Sequence, residues 1–345
     1  MVEQHLQSVQ LGQAKLPSSR IGIGTWAIGG GWGPQPEARS LEALHLALSM
    51  GCLLIDTAPL YGNGRAERLV AQAMKEHGTQ VTVLTKIHPF DYRWAPTPGT
   101  PVTSIYPSEH ILEQVEGSLH RLQVECLDCL LFQTWCPGWA HNLTWHEAIT
   151  QLQRQGKIRT FGISVSDHRP DDANDVIEAG LVDIIEASYS ILDQRASERL
   201  FPLAERHHVS VIARSPLASG ALAEDWHEGM QFQKGDWRRR VFRGDILQRT
   251  VSRVARLKSE VHPTQPLAQF ALRFCLSHPA ISAVIVGVQN REHVLCNLEA
   301  QKFGPLAKAT VDQITALWQE EFYKNVRTSV GEEGEDEARN PQNAA

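Results

Sequence analysis

Unbroken apolar runs alternate along the chain with longer stretches in which apolar residues return every third or fourth position. The short runs predict strands buried on both faces, and the longer stretches predict helices with one covered face. Expected strands lie at residues 21–25, 52–56, 81–86, 127–132, 158–165, 182–188, 209–213 and 283–286. Expected helices lie at 37–50, 67–75, 109–122, 143–155, 170–179, 196–206, 246–260, 266–277 and 292–300, with one more at 310–323 outside the repeat. Ser108 stands where it would cap the helix that follows it. Apolar pieces around Gly12 and Pro17 predict a hairpin ahead of the first strand. Residues 88–107 lack periodicity and predict a long loop, and 219–245 interrupt the alternation with glycines, Trp226, Phe232, Trp237 and the basic run Arg238-Arg239-Arg240.

Eight strands, each followed by a helical segment, make the α/β pattern of a (β/α)8 TIM barrel, here with an N-terminal β-hairpin and an extra C-terminal helix. No G-x-G-x-x-G follows a strand, so the dinucleotide fingerprint of a doubly wound sheet is absent. Residues 1–328 are expected to form one barrel domain, while 329–345 are acidic, almost free of apolar groups and expected to be disordered. The chain has 345 residues, 42% hydrophobic and 21% charged, enough for a full core. A net charge of −6 argues against binding nucleic acid or an anionic membrane. No apolar run approaches ~20 residues and the first fifteen are too polar for a signal peptide, which points to the cytoplasm. The six cysteines sit mostly in apolar runs as small hydrophobes, and Cys126-x2-Cys129 lacks the second pair a zinc site needs, so no metal is expected.

In such barrels the chemistry sits at the C-terminal strand ends. The second strand stops on Asp56, and a buried carboxylate needs a partner. The third strand stops on Lys86, which supplies a cation on the same face. Tyr61, five residues beyond Asp56, completes a set with acid/base logic, because an ammonium beside a phenol favours the phenolate. A phenol so placed can donate a proton to a carbonyl oxygen and take it back in reverse.

These residues are embedded in a wider pattern. Gly24-Thr25-Trp26, Asp56-Thr57-Ala58-x-x-Tyr61-Gly62, Thr85-Lys86, Asp128-x4-Gln133, Gly162-Ile163-Ser164, Ser215-Pro216-Leu217-Ala218-Ser219-Gly220 and Val286-Gly287 through Asn297 follow one another in order. Over residues 10–325 the chain resembles the aldo/keto reductase superfamily. The resemblance implies a TIM barrel that binds NADPH at the C-terminal face and interconverts an aldehyde or ketone with an alcohol by hydride transfer. It makes Tyr61 the proton donor, Lys86 its modulator and Asp56 the partner of Lys86. It also implies cofactor contacts from Thr25, Trp26, Asp56, Ser164, Glu186, Arg214, Ser215, Leu217, Ser219, Gly287, Gln289, Arg291, His293 and Asn297. The polar and basic groups among the last of these favour a 2′-phosphate.

Several positions depart from the family pattern. Gln133 stands where the family has histidine, and an amide donates a hydrogen bond but carries no proton away. His88 and His141 lie in face loops from which an imidazole could be brought back to the site, though ordinary surface histidines are the expectation. Two readings follow: a reductase of altered substrate range, or a slow NADPH-binding redox sensor of the kind found among potassium-channel β-subunits. Glu186 replaces a glutamine, and Val165 an asparagine, among the groups that hold the carboxamide. Arg214 either stacks on the nicotinamide or pairs with Glu186, leaving the ring to Tyr189. Trp26, Trp32, Tyr92, Trp94 and Trp135 are expected to line the pocket for a small carbonyl substrate. A monomer or homo-oligomer fits equally well.

Overall fold

The computed structural model describes residues 8–322 except 95, 168 and 262. Eight parallel strands close into a barrel: β3 (Ile21–Gly24), β4 (Leu54–Asp56), β5 (Thr82–Ile87), β6 (Leu127–Phe132), β7 (Ile158–Ser164), β8 (Ile184–Ser188), β9 (Ser210–Arg214) and β10 (Ile281–Gly287). β10 pairs with both β3 and β9, which closes the ring. A separate antiparallel hairpin, β1 (Ser8–Leu11) with β2 (Leu16–Ser19), precedes it. The expected fold is therefore present, with every strand within a few residues of its predicted place.

Side chains alternate across a strand, so every second residue points into the barrel. Leu54, Leu84, Leu131, Ile184 and Ile212 form one buried interior cluster, to which Leu11 and Leu16 of the hairpin add a floor. Two residues further along the same strands come Asp56, Lys86, Gln133, Glu186 and Arg214, all lining a cavity at the opposite end. The barrel is thus hydrocarbon below and ionic above, and the period of two sets the boundary. Gly22 and Gly162 make room for this packing. A Cβ on Gly22 would lie 2.7 Å from Leu54, and one on Gly162 2.2 Å from the Ile184 carbonyl oxygen. Outward-facing residues such as Ile23, Ile55, Phe132 and Ile163 pack against the helices. Truncating any of these side chains to alanine would cost about 2–5 kcal/mol.

Local differences from the expected elements have local causes. Ser108 is the first helical residue rather than a cap, because Pro107 occupies the boundary in extended conformation (φ −62°, ψ 145°). Pro36, Pro101 and Pro266 precede helices in the same way, where the missing N–H leaves nothing unsatisfied. The loop expected at 88–107 contains a short helix, Val102–Ile105, anchored by buried Val102 and Ile105. The helices expected at 170–179 and 196–206 each begin as a 3-10 turn, Pro170–Ala173 and Arg195–Ser197. The last helix, Lys308–Leu317, passes into a π-turn at Trp318–Phe322. Tyr323, where that helix was expected to end, and the acidic tail at 329–345 lie outside the described residues. No helix among the described residues is long and apolar enough to cross a membrane.

Candidate active site

Asp56 ends β4 and Lys86 lies near the end of β5, and the inward register of both strands brings them together. Lys86 Nζ donates to Asp56 Oδ1 and, at 3.2 Å, to the Thr57 carbonyl; Glu186 Oε2 lies 3.5 Å away. All three side chains are buried. Thr25 was expected to touch the cofactor, but its hydroxyl donates to the Asp56 carbonyl at 2.9 Å and so braces β3 against β4. It does not line the cavity.

Tyr61 is carried by the turn after β4. Its ring meets Trp26 edge-on at 5.1 Å, and Lys86 Nζ lies 5.3 Å from its centroid. The turn can approach the loop after β3 only because both sides are glycine: Gly62 has φ +67° and its Cβ would lie 2.3 Å from the Gly29 carbonyl oxygen. Behind the turn is a buried cluster that the sequence reading missed. Thr85 Oγ1 donates to Glu67 at 2.7 Å, and Arg121 Nε donates to its other oxygen at 2.5 Å. Arg121 also packs against Gly64, tying the Tyr61 turn to two helices and β5. The sequence signal was Glu67 on the apolar face of its helix, where a fully buried acid demands a cation.

The electrostatics correct one expectation. Burial raises the Tyr61 phenol well above its ordinary value; Lys86 pulls it down, but Asp56 and Glu186 oppose that pull. Burial likewise lifts Asp56 to about 7, against Lys86 and with help from Glu186. For Lys86 burial acts downward, yet Asp56, Glu186 and Tyr61 outweigh it and hold the ammonium charged. Tyr61 therefore keeps its phenolic proton at neutral pH.

On the far wall, the expected pairing of Arg214 with Glu186 is present but long, and closer partners hold the guanidinium. It donates to Asp167, to Ser188 Oγ at 3.1 Å and to the Val165 carbonyl at 2.6 Å, and reaches Glu186 only at 3.9 Å. Asp167, unforeseen from the sequence, ties the guanidinium to the cavity wall. Tyr189 is buried against Phe201 and Phe274 on the outer side of the strands, away from the mouth.

Beyond β9, Ser215, Ala218, Ser219 and Gly220 all have positive φ, a tight turn whose Ser215, Leu217 and Ser219 face the cavity. A strap crosses in front of it. Trp32 bridges Asp236, and Trp237 N–H donates to the Gly31 carbonyl at 3.2 Å. Arg238, the first of the basic run, lies 4.7 Å from the Trp32 ring and 4.9 Å from Phe232, and bonds Asp236, Glu224 and the Ser219 carbonyl. It is a structural clamp, which its neighbours Arg239 and Arg240 in the sequence gave no means of telling.

The cavity encloses about 260 Å³. Trp26, Trp32 and Trp94 line it as expected, joined by Trp237. Trp135 does not. It is fully buried in the helical layer with Trp139 and Trp145, its Nε1 bonded to Asp175 at 3.0 Å. Tyr92 stacks on His88 at 4.9 Å, away from the lining; His88 is not the surface histidine expected but is buried, its Nδ1 2.8 Å from the Pro89 carbonyl oxygen, and it lies outside the lining and so does not stand in for an imidazole at Gln133. His141 is exposed. Gly287 keeps the lining open, since its Cβ would meet Trp32 at 3.2 Å. Gln289, Arg291, His293 and Asn297 lie outside the lining, in the segment after β10. Asn290 there caps the helix Arg291–Glu299 by accepting from His293 N–H at 2.8 Å, and Asn297 is buried rather than a surface polar residue. Buried polar atoms on the cavity wall without a hydrogen-bond partner include Gln133 Oε1, Ser166 Oγ, Glu186 Oε2, Arg214 Nε and Trp94 Nε1.

Comparison with known proteins agrees with this geometry. The chain is 28% identical to an uncharacterized oxidoreductase, YqkF, of Bacillus subtilis over 92% of its length and 99% of that protein. It is 33% identical to the NADH-specific methylglyoxal reductase of Escherichia coli over 63% of this chain and 69% of the relative. Among solved structures, the holo form of aldo-keto reductase AKR11C1 from Bacillus halodurans superposes with a TM-score of 0.72 at 26% identity, covering 91% of this chain and 96% of that one. The aldo/keto reductase family model matches residues 20–319, and the chain belongs to that family of NAD(P)H-dependent oxidoreductases.

Proposed function

We propose that this protein interconverts an uncharged aldehyde or ketone with its alcohol, using NADPH, with Tyr61 as the proton donor. The observation that carries the reading is the convergence of Tyr61, Lys86 and Asp56 at one end of the barrel beside an aromatic-lined cavity. The unpartnered atoms of Gln133, Ser166, Glu186 and Arg214 fit a ligand that offers both donors and acceptors, as a carboxamide does. When bound, the cofactor supplies or accepts the hydride. Ser164, Glu186 and Arg214 would hold its nicotinamide end, and Ser215, Leu217 and Ser219 the pyrophosphate. Gln289, Arg291, His293 and Asn297 would hold the adenosine end, where Arg291 and the polar groups favour a 2′-phosphate.

Tyr61 keeps its proton because burial raises the phenol, and it gives that proton to the carbonyl oxygen as negative charge develops there. Lys86 holds positive charge behind the ring and eases the departure of the proton. Asp56 aims Lys86. Gln133 donates a hydrogen bond to the same oxygen through its amide but adds no proton. Trp26, Trp32 and Trp94 exclude water from the carbonyl's apolar side.

Titration with NADPH and NADH, followed by NADPH oxidation against a panel of aldehydes, ketones and keto-sugars, tests the reading. Turnover with a panel member and its loss in Tyr61→Phe are expected. The absence of an imidazole at Gln133 supports a second reading, a cofactor-binding redox sensor; binding without turnover above that of Tyr61→Phe would favour it. Failure to bind either cofactor would sink both.

A further inference from the structure

Glu186 stands out on the cavity wall. Its side chain is 2% exposed, and Oε2 accepts no hydrogen bond. Both nearby cations form long ion pairs with it but spend their hydrogen bonds elsewhere. Lys86, 3.5 Å away, is bonded to Asp56 and the Thr57 carbonyl; Arg214 is bonded to Asp167, Ser188 and the Val165 carbonyl and comes no nearer than 3.9 Å. Across the lining, the carboxyls of Asp56, Asp167 and Glu186 share two cations, Lys86 and Arg214, with Asp56 lifted to about 7 and so partly protonated at neutral pH; Glu186 has no cation to itself. A buried carboxylate with half a partner attracts a positive charge, and the low dielectric of the interior strengthens that attraction.

We propose that Glu186 makes this site discriminate between the two redox forms of its nicotinamide cofactor, favouring the oxidised one. The inference rests on the reading of the cavity as the cofactor site. The oxidised and reduced forms carry the same carboxamide, riboses and phosphates and differ by one positive charge on the ring. A wall that is neutral at this point holds both alike, whereas a carboxylate distinguishes them by charge. Glu186 therefore sets which form stays longer and which is exchanged readily, independently of the proton donor.

Dissociation constants for NADP+ and NADPH, measured by quenching of tryptophan fluorescence in the wild type, Glu186→Gln, Glu186→Met and Glu186→Asp, test the proposal. The measured quantity is the ratio of the NADPH constant to the NADP+ constant, in which any general loosening of the cavity cancels. The ratio should fall by about tenfold in both Gln and Met variants, and Asp should keep it. A ratio that is unchanged in Gln and Met overturns the proposal while leaving the cofactor site intact. A ratio that falls in Met alone also overturns it, since Gln keeps the hydrogen-bond acceptor and lacks only the charge. If the wild type binds neither form, the cofactor reading itself has failed.

Discussion

Asp56→Asn isolates the proton that the buried carboxyl releases only near neutral pH. The amide has the carboxyl's size and still accepts from Lys86, but it does not titrate. In the folded protein, burial and Glu186 raise the Asp56 carboxyl from 3.8 to about 7 in spite of Lys86. In the unfolded chain it returns to the lower value. Between the two the folded state holds a proton that the unfolded state has released, so stability falls as pH rises. The contribution is whole below pH 3.8 and gone above about 7. Its full size is about 4 kcal/mol, of which about 3 kcal/mol is lost between pH 5 and pH 8. Urea unfolding followed by tryptophan fluorescence, with both proteins at each pH, cancels every other titrating group. Relative to wild type, the asparagine variant should gain about 3 kcal/mol between pH 5 and pH 8. An unchanged difference would mean that Asp56 is ionised in the native state and that Lys86, not burial, governs it.

Other outcomes follow from neighbouring contacts. Gln133→His adds an imidazole at the carbonyl end and should raise reduction of simple aldehydes in a steady-state assay; no change would show that this position does not limit the rate. Alcohol oxidation needs Tyr61 to lose its proton, and burial raises that phenol. Its kcat should therefore climb as pH rises above neutral, while carbonyl reduction stays flat until the phenol ionises; parallel profiles would contradict the assignment. Arg121→Ala leaves the Glu67 carboxylate buried with only Thr85, and should cost about 3–5 kcal/mol in urea unfolding. A loss well under ~1 kcal/mol would show that Thr85 and water suffice.

The strands were legible because both their faces are apolar, and their polar ends announced the mouth: Asp56, Lys86, Gln133, Ser164, Glu186 and Arg214 all line it. Period two does this without any knowledge of contacts. What stayed hidden depends on distance in sequence. Arg214 finds Asp167 rather than Glu186 through a loop conformation that no local pattern encodes. Trp135 and Trp94 occupy similar loop positions, yet one turns inward to Asp175 and the other to the cavity. The Glu67–Arg121 pair joins two helices separated by a strand, visible in advance only as an acid on an apolar face. The short helix at Val102–Ile105 was missed because four residues carry no period.

The leucine-lined floor of the barrel has a consequence for proton traffic. Leu54, Leu84 and Leu131, with Leu11 and Leu16 beneath them, place a hydrocarbon layer between the ionic cluster and the hairpin end of the barrel. The cavity that Asp56, Lys86 and Glu186 line opens at the other end, beside Tyr61. A ligand seated there would lie between the cluster and the solvent on that side, so proton exchange with the cluster should slow while the ligand is bound.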